Sequence, residues 1–283
     1  MLLAAVGNFL PLISPATVGL VVLRKGLVEG GIVALWAVLP PVVMLFASGM
    51  NPAMVWASVF TVVSVLVGAA LLAQSQSWSI TLKGVIGLSL FFGLFMHVFL
   101  PGDVASVRNS LVEMFAQIQV QTSSPELKPA DLPVLAFELS DLFVSGLLAW
   151  VIALTAMAAL LLARWWQSLL YNKGGFSAEF QSLRFDKLSA LVLFVGVTGC
   201  YFLGQEYVAW GNLVGLPLLI SGIALVHHAV AFTQIGRVWL VIFYIGLVVL
   251  LGPLSAVLVG LGFLDSIMNF RSRLAMYQSS DKK

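Results

Sequence analysis

Charge is the scarcest property of this chain. Of its 283 residues only 9% are Asp, Glu, Lys or Arg, and 60% are hydrophobic. An ordinary soluble domain is about 25% charged and about 45–50% apolar, so no soluble fold of this length could hide the apolar surface. Cysteine is almost absent. Cys200 stands alone inside an apolar run, which excludes a disulfide framework and any thiolate metal cluster and marks a buried structural thiol. The first residues, Met1-Leu-Leu-Ala-Ala-Val, lack the basic region of a signal peptide. The chain reads as starting inside the membrane, with a short leader expected upstream. Enzyme signatures are missing too: there is no HExxH, GxSxG, phosphate-binding Gly-rich loop or Cys/His metal spacing. Ser221 and His227 lie six positions apart on one apolar run, on different helix faces, and are rejected as a dyad. No enzyme and no cofactor is expected. The 14 Lys+Arg against 12 Asp+Glu form no basic stripe, so no nucleic-acid partner is expected either.

What remains is hydrophobic length. Mean hydropathy is +1.05, and the lipid bilayer is the solvent in which such a composition is stable. Eight runs are long and apolar: Leu2–Leu23, Val28–Ser48, Ala53–Ala73, Leu82–Phe99, Leu142–Ala163, Leu188–Leu203, Leu213–Phe232 and Val238–Phe263. Each should be helical, because the bilayer core offers backbone groups no water. The expected fold is all-α, a single polytopic transmembrane bundle over 1–283 with about eight membrane segments. Pro11 and Pro15 break the first run, as one kinked helix or two short halves. Pro40-Pro41 and Gly252-Pro253 predict further kinks.

Two polar regions interrupt the runs. In 101–141, Val104, Val107, Leu111, Met114 or Phe115, and Ile118 recur at helical spacing, with Asp103 as the expected N-cap and Thr122 near the end. This predicts an amphipathic helix on the membrane surface or over the bundle. The second region, 164–187, is the most basic internal loop, with Arg164, Lys173, Arg184 and Lys187. Trp165, Trp166 and Tyr171 beside it form an aromatic belt, and Gly174-Gly175 a turn. By the positive-inside rule Arg24, Lys25, the 164–187 loop and Arg237 are cytoplasmic and 101–141 faces outward. The basic tail over 264–283, with Arg271 and Arg273, then falls on the wrong side, unless Gly252-Pro253 splits the last run into a re-entrant pair.

Ionisable residues inside the runs are few, and each costs roughly 2.5–3.5 kcal/mol at the bilayer centre. His227 and His228 are the main exception. Adjacent helix positions are about 100° apart, so the rings cannot share a face. Asn8, His227 and His228 are the candidate substrate-binding residues. His97 reads as interfacial, and Ser140 with Asp141 as a helix cap. Gly215 and Gly222 read as close-packing sites. Arg24, Lys25, Arg184, Asp265, Arg271 and Arg273 are the candidates for docking lipid headgroups or a membrane or cytoplasmic protein partner.

Several stretches together resemble the YybS-like family of bacterial polytopic membrane proteins: LPLISPATVGLVVLRKG, WWQSLLYNKGGFSAEFQSLRF, Gly222 with His227, and Gly262, Asp265, Phe270 and Arg271. Lys173 departs from the proline expected before the Gly-Gly pair. The resemblance implies a multi-pass bacterial inner-membrane protein, distantly similar to the substrate-binding subunits of energy-coupling-factor vitamin transporters and to the rod-shape protein MreD. Two functions follow as expectations: a small-solute binding or transport subunit, or a non-transporting scaffold for envelope biogenesis. A closed cavity lined by His227 or His228 under the 103–120 helix would favour the first. A solid core with a basic groove would favour the second.

Overall fold

The computed structural model describes residues 2–48, 51–122, 139–233, 236 and 238–272, and their side chains except those of 2–11, 48 and 118–122. Among the described residues the chain is an all-α polytopic helical bundle with no strand. In order come α1 (Leu2–Lys25), α2 (Leu27–Ser48), α3 (Pro52–Ser75), α4 (Trp78–Phe99), α5 (Pro101–Thr122), α6 (Asp141–Tyr171), α7 (Gly175–Gln181), α8 (Lys187–Leu203), α9 (Val208–Thr233), α10 (Val238–Val249) and α11 (Leu251–Met268). A 3₁₀ turn (Gln205–Tyr207) precedes α9. Six of these elements are long and apolar enough to cross a membrane, α2, α3, α4, α6, α11 and α9 with its preceding turn, while α8 and α10 are shorter apolar helices. The protein is a multi-pass membrane protein.

The helix ends follow local chemistry. Asn51 caps α3, its Oδ1 accepting from the Ala53 N–H at 2.9 Å. Ser140 caps α6 through the Phe143 N–H, and Asp186 caps α8 through the Ser189 N–H. Gly26 ends α1 at φ +98°, a left-handed conformation that lets α2 fold straight back along it. The basic loop turns through Gly174 at φ +89°.

α6 is the axis of the bundle, packed against α1, α3, α4 and α9. It presents Gly146, Ala149, Ala153, Ala156, Ala159 and Ala163, all buried, so neighbouring backbones approach closely. The bulky groups of other helices fill the space these small residues leave. A Cβ on Gly146 would fall 2.6 Å from Trp210 Nε1, and one on Gly93 2.9 Å from the same ring. The indole sits in that slot and donates to the Leu142 carbonyl at 2.9 Å.

Two expectations need correction, and one open alternative is decided. The first run is not broken: α1 is one helix from Leu2 to Lys25 through both prolines. Each proline removes only one N–H, and neighbouring helices support the rest. Asp103 is not an N-cap, because the helix already starts at Pro101, a residue that needs no donor there. For the eighth run the alternative of a split holds, and the run is two helices. Proline 253 has no N–H for the carbonyl of Val249, and its ring crowds that carbonyl. α10 accordingly stops at Val249, and Leu250 turns the chain into α11.

α5 packs across the end formed by the α3 N-terminus, the α4 C-terminus and the α6 N-terminus. Val104 and Val107 are buried in a cluster with Phe60, Phe92, Met96, Val144 and Ile152, where Phe60 and Phe92 stack at 4.0 Å. Arg108 pairs with Asp141 at 3.0 Å, and Asn51 donates to Ser106. Met114 and Phe115 are exposed, since the helix has by then run past the surface it covers. The Ile118 side chain lies outside the described residues.

Candidate functional site

The bundle separates charge by end. At the end holding the α1–α2 turn and the 164–187 loop stand Arg24, Lys25, Lys83, Arg164, Lys173, Arg184, Lys187 and Arg271, against Glu29, Glu179, Asp186 and Asp265. At the α5 end, or on α5, stand Asp103, Glu113, Asp141 and Glu206 against Arg108 alone. Among the described residues one end is thus +4 and the other −3, and no charged side chain belongs to neither end. The basic end is held by its own contacts. Arg164 pairs with Glu179 at 2.6 Å, Lys83 reaches Asp186 at 3.4 Å, and the Arg24 guanidinium lies 4.2 Å from the Tyr171 ring centroid. The Ser189 hydroxyl and N–H, more than Lys83, hold the Asp186 carboxyl down at about 2. Lys25 is exposed and has no ion pair among the described residues.

The C-terminal candidates assemble at this same end. α11 runs parallel to α9. Gly222 sits on the Leu258 carbonyl and Gly262 on the Leu218 carbonyl, with no room for a Cβ at either. At one end of this pair Gly211 and Leu251 line one cavity, and at the other His228 and Arg271 line another. Gly222 is a close-packing site as expected, while Gly215 makes only ordinary contacts. Parallel packing brings Arg271 to the basic loop. Its guanidinium donates to the Gln181 carbonyl and, at 2.7 Å, to the Leu183 carbonyl. Its Nε lies 3.1 Å from Asp265 Oδ2, and Asp265 is fully buried. Burial pushes the Arg271 guanidinium down from its usual value, and Asp265 pulls it back. The disagreement between helix count and charge bias is resolved here, because α10 turns back and returns Arg271 to the 164–187 end.

His227 and His228 part as their spacing requires. His227 Nε2 lies 2.8 Å from the Tyr244 hydroxyl on α10, with the Phe180 ring edge-on at 5.4 Å. His228 instead lines a cavity of about 370 Å³ with Ala178, Gln181, Ser182, Arg184, Asn269 and Arg271. His97 stands near the far end, its Nδ1 3.2 Å from Ser145 Oγ. The side chain of Asn8, and Arg237 and Arg273, lie outside the described residues.

A second cavity, of about 1000 Å³, opens between α6, α8, α9, α10 and α11. Trp150, Leu154, Phe194, Leu216, Leu219 and Val259 make it apolar. Its polar groups are few: Tyr201 donates to Asn212 Oδ1 at 2.7 Å, and Thr198 and Ser255 donate to carbonyls of their own helices. That bond occupies the Asn212 oxygen and leaves the amide N–H groups as its remaining donors. Neither histidine lines this cavity, and α5 does not cover it. Tyr201 and Asn212 escaped the sequence reading, although each is a polar side chain near the edge of an apolar run, the signal that singled out the histidines. Among the described residues no group of three His, Cys, Asp or Glu side chains could hold a metal ion.

No family model, no curated protein and no solved structure matches the chain.

Proposed function

We propose that this protein is a binding subunit for a small, largely apolar solute, seated in the bacterial inner membrane with its basic end in the cytoplasm. The observation that carries the reading is the cavity between α6, α8, α9, α10 and α11, about 1000 Å³ in volume. It has the size and lining of a ligand pocket: apolar walls with a few convergent polar groups. The Asn212 amide, held by Tyr201, would orient a single hydrogen-bond acceptor on the solute. Among the described residues that line it none is charged, so charged solutes are disfavoured. The charge bias between the ends supports the orientation. Transport would require an energising partner, since no nucleotide-binding motif is present in this sequence. The resemblance to YybS-like proteins, and through them to vitamin-binding subunits, points the same way at the level of fold.

The test is purification in mild detergent with mass spectrometry of co-purifying small molecules, comparing the wild type with Ala256→Phe. Ala256 lines the cavity and is exposed to it, so the ring fills the space without displacing core. A compound retained by the wild type and lost from the variant is expected. Wild-type protein that carries nothing beyond bulk lipid, and does not melt higher with any candidate vitamin, defeats the reading.

A second reading is favoured by a different observation. α1, α3, α4 and α6 pack into a solid core, and the polar cavity at the basic end is a groove with two arginines. A scaffold that docks a protein partner through that end needs no solute. Recovery of a stoichiometric protein partner in the same purification, with no small molecule, would establish it over the first.

A further inference from the structure

We propose that the cavity formed by α7, the Ser182–Arg184 turn, His228 and Asn269–Arg271 binds a phosphate-bearing anion. The inference stands apart from the solute reading, because the two cavities share no lining residue. It begins from charge balance. Arg184 and Arg271 line one space of about 370 Å³, and Arg184 is close enough to disfavour the charge on Arg271. Arg271 is already compensated by Asp265, which is buried behind it and does not line the cavity. Arg184 is exposed and has no acidic partner among the described residues. One positive charge is therefore left over.

The hydrogen-bonding inventory points the same way. The Gln181 and Leu183 carbonyls accept from Arg271 rather than from Arg184. The Arg184 guanidinium has five N–H donors in a planar fork, and the side-chain amide of Asn269 adds two more. An unpaired guanidinium fork with an amide donor beside it and unbalanced positive charge matches the tetrahedral oxygens of a phosphate group. It lies where α11 ends at Met268 and the apolar sequence gives way to Asn269 and Arg271, the level at which a spanning helix meets headgroups. Two sources share this chemistry, the phosphate of an anionic lipid and a soluble phosphate compound.

The experiment uses full-length protein in detergent, as wild type, Arg184→Gln and Lys187→Gln. Arg184 and Lys187 are both exposed, so neither change threatens the fold, and the second controls for general surface charge. One arm measures retention of phosphatidylglycerol against phosphatidylcholine by native mass spectrometry. The other measures melting with inorganic phosphate against chloride at equal ionic strength. The proposal expects selective binding in one arm that weakens at least about tenfold in Arg184→Gln, the loss of a charge-assisted hydrogen bond, and stays within twofold of wild type in Lys187→Gln. Selectivity in the lipid arm alone assigns a headgroup, and a phosphate-specific rise in melting assigns a soluble anion. No selectivity in either arm, or equal loss in both variants, overturns the site.

Discussion

α6 and α10 are both apolar helices, yet they behave in opposite ways. α6 buries thirteen of its residues, whereas α10, Val238 to Val249, buries none. The difference lies in side-chain size rather than hydrophobicity. In lipid an aliphatic residue gains nothing by leaving the tails for a protein core, so burial is decided by how closely backbones can approach. α6 offers Gly146, Ala149, Ala153 and Ala156, while α10 reads VWLVIFYIGLVV. α10 is also only 12 residues, about 18 Å, against a hydrocarbon core of about 30 Å. It is held by its turn at Leu250, a slight contact with α9 and the His227–Tyr244 hydrogen bond.

The contrast can be broken from its strong side first. Gly222→Ala places a methyl on the Leu258 carbonyl, where backbone must move; a loss of about 3–5 kcal/mol is expected in denaturant unfolding. Ala156→Leu on α6 overpacks a fully buried position and should cost about 1–3 kcal/mol by the same measurement. On the weak side, Tyr244→Phe removes the polar tether of α10. We expect a loss of about 1 kcal/mol and faster hydrogen exchange confined to α10. Ile245→Ala on its exposed face should change stability by less than about 0.5 kcal/mol; a larger loss would mean that α10 packs against something. The contrast is one of packing, so titration should leave it intact. The carboxyl of Asp186 is lowered on folding, so its contribution is complete above the ordinary value of 3.8 and fades as pH falls toward about 2. Because Asp186 is exposed, melting curves of wild type and Asp186→Asn should differ only slightly at pH 6 and converge near pH 2.

Much of this architecture was legible in the chain. Seven of the eight apolar runs correspond to single helices, because runs of apolar residues in a bilayer have no other backbone solution. Of the kink and the split weighed for Gly252-Pro253, the structure has the split, at Leu250. Arg184, Asp265 and Arg271 were singled out individually, and the fold brings them to one end. Their meeting was not readable, since it depends on α11 lying parallel to α9, a consequence of two glycine–carbonyl contacts between distant segments. The prolines of α1 misled, because whether a missing hydrogen bond breaks a helix depends on its neighbours. The larger cavity was invisible for the same reason. It is space left between five helices, and only Tyr201 and Asn212 gave a local sign of it.

The Arg271 hydrogen bonds have a consequence in time. They join positions 90 and 88 residues apart, Gln181 and Leu183 on one side and Arg271 on the other. At synthesis rates of about 5–20 residues per second, the carbonyls near α7 wait roughly 5–18 s after they are made before their donor exists. During that interval the basic loop has its ion pairs to Arg164 and Lys83 but lacks the Arg271 contacts, which arrive only with α11, the last described spanning helix. The two bonds thus set an order: a nascent protein that has not yet built α11 cannot close the loop onto Arg271.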